Sequence, residues 1–382
     1  MADQTLVRRI NRARVLDTIR RRGRMSRSDI AALTGLDKKS ITNVMASLLE
    51  DGFVVEAGKK PNEMGRPFVL LELRRDRHLA MGLSVSEAGV TAVVVNLAGE
   101  IAAVHEIEYL PDPSREEILR AARRAYEQLK GTVRGSLDGV CVTAPGLVDL
   151  PAGIVTASVN LPALNGFNLR GAVAGFAREP VTFEEQTRAK TLAEKWHGLG
   201  RDLPGFVCVD LGIGIGAGIV QDGRIHKGTG PYAGEVGHIR VEPGGRPCRC
   251  GNRGCLEAYL SERALLKEIN KAERTSARTF DRLERVGPAG KEVLQAAGRR
   301  LGVALSYVIN LIGPPAIVLS GRLMRFRDVV LPAVGRGIAE AALPGLAART
   351  EIRVSTLDHA SARGAAALVL AKAFEVEGHS FA

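Results

Sequence analysis

The chain has 382 residues, 45% of them hydrophobic, with mean hydropathy near zero and a net charge of +11. This length suits two or three domains with sizeable cores, and no apolar run is long enough to span a bilayer. The start, Met1-Ala2-Asp3-Gln4, lacks the basic and apolar blocks of a secretory signal. Low cysteine content adds to the expectation of a cytoplasmic protein with no membrane partner. The charge is uneven: residues 1–80 hold 17 lysines and arginines against 10 acidic residues, a local net of +7. A basic N-terminal fifth points to a polyanionic partner.

In chain order, Leu6, Ile10, Val15, Leu16 and Ile19 recur at helical spacing and predict a first helix that ends at Gly23. Ser26 with Asp29 three residues on is an N-cap pattern for a second helix over residues 27–33. Thr34-Gly35-Leu36 is the short turn of a helix-turn-helix. A third helix follows over residues 37–51, with Ile41, Val44, Met45, Leu48 and Leu49 facing inward. Lys38, Lys39, Ser40, Thr42 and Asn43 stand near its start, where a recognition helix meets base edges in a major groove. Asn43 suits adenine, and Lys38 or Lys39 suits guanine or phosphate. Residues 52–55 and 68–73 predict paired strands around a polar tip that carries Lys59, Lys60 and Arg66. This is a wing, with Arg66 suited to a minor groove. Arg9 and Arg12 join these lysines as expected phosphate neutralisers. The alternative is a three-helix protein-binding module.

Beyond residue 75 the signal changes. Runs 79–86, 89–97 and 101–109 predict a strand meander. A helix over 115–130 and a strand over 137–142 follow. Runs 206–211, 213–220 and 223–227 repeat the theme, with further strands at 315–320 and 351–356. Two such halves predict a duplicated α/β domain with its ligand between them. The expected divisions are 1–75 for the winged helix, 76–190 for a first lobe and 191–382 for a second.

The most specific local pattern lies in the second half. His238, Cys248, Cys250 and Cys255 fall within eighteen residues and form a Cys3His set suited to structural zinc. Gly251 and Gly254 let the loop double back. Reduced surface thiols are the plainer alternative.

Gly234-Glu235-Val236-Gly237-His238, followed by Cys248-x-Cys250-Gly251-x-x-Gly254-Cys255-x-Glu257, resembles the signature of the ROK family of repressors and sugar kinases. Lesser matches are Ala144-Pro145-Gly146, Asn160-Leu161-Pro162, the glycines 212, 214, 216 and 218, Leu319-Ser320-Gly321 and Gly364-Ala365-Ala366. The resemblance implies an actin-like (ribonuclease H-like) ATPase fold in two lobes behind the winged helix-turn-helix, bound zinc and a sugar in the cleft. With its winged helix the chain is similar to members that repress xylose and N-acetylglucosamine genes.

The same resemblance assigns sugar contacts to Asn160, Glu235, His238 and Glu257, with Glu185 and Gln186 beside them. Glu235 and Glu257 could instead only buttress the zinc loop. Family kinases carry Gly-x-Asp-x-Gly-Gly-Thr where this chain has Gly82-Leu83-Ser84-Val85-Ser86-Glu87-Ala88. They carry Glu-Asn-Asp where it has Glu184-Glu185-Gln186. Gln186 then replaces the general base, and an amide cannot take that proton. A one-residue slip would leave Glu185 as a base. No catalytic residue is therefore expected. The expected function is a repressor of carbohydrate genes that binds a palindromic operator as a homodimer or dimer of dimers. A sugar kinase with a DNA-binding appendage and a zinc-dependent protein scaffold are the alternatives.

Overall fold

The computed structural model describes residues 4–61, 67–110, 112–133, 135–230, 232–283, 285–376 and 379–380. The N-terminal helices are Gln4–Arg22, Arg27–Thr34 and Lys38–Glu50. Each boundary follows from local chemistry. Gly23 leaves the first helix at φ 76°, a left-handed conformation that glycine adopts without a Cβ clash. Ser26 and Asp29 form a reciprocal capping box at the second helix. Asp37 caps the third by accepting the amides of Lys39 and Ser40, both at 2.9 Å. Val15, Leu16, Ile19, Ile30, Ile41, Met45 and Leu48 fill the space between the helices. Strands Val54–Lys60 and Phe68–Leu73 pair antiparallel, and Met25 and Ser26 add a short third strand. The three helices stand where the periodicity placed them, but the first wing strand runs on through Lys59 and Lys60, which the sequence assigned to the tip.

The remainder holds two five-stranded sheets with the same connectivity. In the first, Leu79–Val85 is central. Gly89–Asn96 and Ile101–Glu108 meander away on one side, while Leu137–Ala144 and Val181–Glu185 run parallel on the other. In the second, Phe206–Leu211 is central. Ile215–Gln221 and Arg224–His226 meander, and Ala316–Ser320 and Glu351–Val354 run parallel. The central strands are buried on both faces, as expected of sheets covered by helices. The edge strand Ile101–Glu108 alternates exposed and half-buried residues. This is the duplicated α/β architecture that the sequence predicts.

Two helices cross the expected lobe divisions. Gln186–His197 follows the last strand of the first sheet and packs on the central strands of the second. Ala360–Ala371 comes near the end of the chain yet packs against the first sheet. The two helices touch through their backbones: a Cβ on Gly364 would lie 1.7 Å from the Ala189 carbonyl oxygen. A small sheet of Leu147–Asp149, Ile154–Ala157 and Phe167–Asn168 also lies outside the predicted elements. The longest helix among the described residues is Pro288–Ile312. It buries Leu301, Leu305, Val308 and Ile309 and leaves Leu311 exposed.

Candidate functional site

A cleft of about 840 Å³ opens between the two sheets. Asn160, Glu185, Gln186, Glu235, His238 and Glu257 all line it, as do Ser84, Ser86 and Glu87. The six predicted ligand contacts are therefore brought together, although they are spread over almost a hundred residues of chain.

Each is held by a different element. Glu257 opens the short helix Glu257–Leu260, and its Oε2 accepts the Ile215 amide at 2.9 Å. Asn160 Oδ1 accepts from Arg249 at 3.2 Å, so the knuckle of the second lobe reaches the loop of the first. Gly214 leaves the gap into which Asn160 and Glu257 converge. A Cβ there would lie 2.9 Å from Asn160 Nδ2 and 3.3 Å from Glu257 Oε2. These amide and carboxylate groups are the kind that orient a polyhydroxylated ligand.

Glu185 and Gln186 sit at the N-terminus of Gln186–His197. The Glu185 carboxylate accepts the amides of Thr187 and Arg188 at 2.7 and 2.9 Å and so caps the helix. Gln186 Nε2 donates to Ser84 Oγ at 3.3 Å, and Ser84 donates to Ser361 at 2.9 Å. Burial pushes the Glu185 carboxyl up to about 7, against the pull of its two amide donors. A carboxyl that holds its proton more tightly when folded contributes stability in full below its unfolded value near 4.5. It loses that contribution as pH rises through about 7. The melting temperature of wild type relative to Glu185→Gln should therefore fall between those limits. A difference that stays flat across the window would contradict the assignment.

The sequence reading missed a half-buried ion pair in the cleft. Lys190 Nζ contacts Asp210 Oδ2, joining the helix to the central strand of the second sheet. Asp210 was a visible signal, a lone acid in the apolar run Phe206-Val207-Cys208-Val209. Its partner could not be read, because the contact is made by folding. Near it, burial pushes the Glu87 carboxyl up.

At the edge of the cleft, the ligand atoms of His238, Cys248, Cys250 and Cys255 lie within 4.8 Å of one another. Cys250 and Cys255 have their sulfurs 3.8 Å apart. That equals the tetrahedral edge of about 3.8 Å set by Zn–S bonds of about 2.3 Å. His238 Nδ1 lies 3.8 Å from Cys248 Sγ, while Nε2 faces Glu235 Oε2 at 3.8 Å. One ring nitrogen faces the cluster and the other the cleft. Gly254, at φ 80°, closes the knuckle where a Cβ would lie 1.8 Å from the Glu242 carbonyl oxygen. Soft donors at this spacing suit zinc.

Far from the cleft, Lys38, Lys39, Thr42 and Asn43 are exposed on the third N-terminal helix, and Lys59 and Lys60 on the wing strand. Ser40 differs, because its hydroxyl donates to Asp37 at 2.8 Å. Arg12 also differs from expectation. It pairs with Asp51 at 2.7 Å, bonds Ser47 and lies over Phe53. Arg66 lies outside the described residues.

With this geometry established, known proteins discriminate among the readings. The sequence model of the ROK family matches residues 81–372. The chain belongs to the ROK family. It is 28% identical to a xylose repressor of Caldicellulosiruptor bescii, over 97% of this chain and 98% of that one. It is 30% identical to the DNA-binding transcriptional dual regulator NagC of Escherichia coli, over 95% and 93%. Among solved structures, a ROK family transcriptional regulator, a homologue of the E. coli MLC protein, is 26% identical. It superposes with a TM-score of 0.78 over 97% of each chain. A ROK family glucokinase from Streptomyces griseus, solved with glucose and AMPPNP, shares the fold at 23% identity and a TM-score of 0.68. It covers 76% of this chain and 98% of its own length. The regulators thus match nearly end to end, whereas the kinase leaves about a quarter of this chain unmatched. No helix among the described residues is long and apolar enough to cross a membrane.

Proposed function

We propose that this chain is a transcriptional repressor of carbohydrate-metabolism genes, controlled by a sugar or sugar derivative in the cleft between its sheets. One observation carries the reading. A cleft of about 840 Å³ with convergent amide and carboxylate groups, ample for a sugar, shares a chain with an exposed helix face of Lys38, Lys39, Thr42 and Asn43. Regulators related along nearly the whole length support it. In this reading His238, Cys248, Cys250 and Cys255 hold a structural zinc, which fixes the loop from which Glu235 and Glu257 reach the ligand. A homodimer presents two recognition helices to a palindromic operator, and ligand changes their separation.

The cleft acts as a sensor and not as a kinase. Phosphoryl transfer needs room for the nucleotide's phosphates and a group to take the hydroxyl proton. Ser84 holds the place of the family kinases' first-loop Asp and is bonded to Ser361 and Gln186. Glu87 stands where glycine would admit phosphate, and Gln186 replaces the base. Glu185, the remaining candidate base, has both oxygens on backbone amides. A thermal-shift screen with D-xylose, D-glucose, N-acetyl-D-glucosamine and their phosphates should find a ligand that raises the melting temperature. A coupled assay with ATP and the same sugars should show no turnover. Turnover that Glu185→Ala abolishes would establish the kinase instead.

A further inference from the structure

Two helices run from the cleft to the winged helix and meet there on one arginine. Gln186–His197, capped by Glu185, begins at the cleft with Gln186 and Lys190 and carries Trp196 in its last turn. Ala360–Ala371 begins there with Ala360, Ser361 and Ala362 and leads to Phe374. Each has twelve residues, so each spans about 18 Å. Trp196 and Phe374 pack edge to face, ring centroids 5.3 Å apart, both inaccessible to solvent.

Against this pair lies Arg20, from the first helix of the winged-helix module. Its guanidinium stands 4.6 Å from the Trp196 ring and 5.6 Å from the Phe374 ring. It donates to the Trp196 carbonyl at 3.2 Å and pairs with Asp17 at 2.6 Å. Arg201, just beyond Trp196, donates to the Arg20 carbonyl at 2.9 Å and also to that of Arg21. A buried arginine is rare unless its donors and its face are both matched, and here both are.

We propose that Arg20, Trp196 and Phe374 form the joint through which occupancy of the cleft sets the position of the DNA-reading module. The inference rests on the proposed effector-controlled DNA binding and adds its route. The two helices move as one body, because Gly364 and Ala189 leave no side chain between them to absorb displacement. His359, immediately before the second helix, has φ 51° and lines the cleft. A non-glycine residue is held in that left-handed conformation at a cost in backbone strain, here where the second helix leaves the cleft. A ligand that draws on Glu185, Gln186 or Ser361 pulls on the N-termini of both helices, and their far ends carry Arg20.

Trp196 is the chain's single tryptophan, so its fluorescence reports on the joint in the unmodified full-length protein. The probes are D-xylose, D-glucose, N-acetyl-D-glucosamine and D-glucosamine, with a duplex that the protein itself selects from a random library. A sugar that raises the melting temperature should shift Trp196 emission and change duplex affinity tenfold or more. Arg20→Met keeps most of the stem and leaves Asp17 paired with Arg21 at 2.8 Å. It should bind sugar and duplex as wild type does, with the sugar's effect on duplex affinity reduced to about twofold or less. Arg201→Ala, at the rim of the joint, should lose part of the effect and serves if Arg20→Met does not fold. An undiminished sugar effect in the variants, or sugar binding that leaves Trp196 emission unchanged, overturns the joint. Failure of every sugar to bind, or of any duplex to be selected, overturns the functional reading itself and the joint with it.

Discussion

Removing the metal, or replacing Cys250 by serine, is expected to lower sugar affinity tenfold or more while duplex binding survives. Within residues 238–255 the only isolated strand bridges among the described residues are Arg240↔Cys255 and Pro247↔Arg253. Backbone bonds also tie the loop, among them Val241 N–H to the Gly254 carbonyl at 2.9 Å and Cys248 N–H to the Asn252 carbonyl at 2.8 Å, and a metal held by the four side chains would add folding free energy to these. The proposed metal ligands are interleaved with the proposed sugar contacts: His238 is three residues after Glu235, and Cys255 two before Glu257. His238 joins the two sites, with Nδ1 toward the cysteines and Nε2 toward Glu235. Loss of the ion therefore acts first through His238 on Glu235, while Glu257 keeps its bond from the Ile215 amide. The core around Leu16, Ile30 and Met45 continues into Trp196 and Phe374 and includes none of the four cluster residues. Emission spectrometry should find one zinc per chain in wild type and little in Cys250→Ser. Calorimetry with the stabilising sugar then measures the loss. A metal-free protein that binds sugar as tightly as wild type would show that Glu235 and Glu257 are placed by packing alone.

What the sequence revealed and what it hid follow from the range of the forces involved. The winged helix was legible because its signals are local: Gly23 and Gly35, both at positive φ, and Ser26 with Asp29. The knuckle was legible because its four ligands lie in one short stretch. That Asn160, Glu185, Gln186, Glu235, His238 and Glu257 share one cleft was legible through family motifs, which place residues distant in sequence at one site. The short strands Leu147–Asp149, Ile154–Ala157 and Phe167–Asn168 were not, because two to four residues carry no periodicity. Nor was the packing of Ala360–Ala371 on the first sheet. A run of alanines reads as a helix and gives no hint of its partner; Gly82, where a Cβ would lie 1.9 Å from the Ala362 oxygen, is the steric counterpart. Arg20 looked like one more basic residue on a basic helix. Only the fold shows it buried against Trp196, 176 positions away.

That lesson shapes the second large effect, on operator binding. Asn43→Ala should weaken binding of the selected duplex by about 5- to 150-fold. That range corresponds to the roughly 1–3 kcal/mol carried by a bidentate base contact. Asn43 is exposed one turn into a helix whose opposite face is locked into the core by Ile41, Met45 and Leu48. The substitution therefore removes a contact without disturbing the fold, and the loss should be confined to one base position. Lys38→Ala should act differently. It should weaken all duplexes alike and reduce the slope of log affinity against log salt by about one, as for a released phosphate contact. Arg12 separates charge from geometry. Charge alone counts it with the lysines, but its guanidinium is held by Asp51, Ser47 and the Phe53 ring. Arg12→Ala should leave the salt slope unchanged and lower the melting temperature instead. If Arg12→Ala flattens the slope as much as Lys38→Ala does, the DNA lies along the first helix, and Asn43 is not at the base edges.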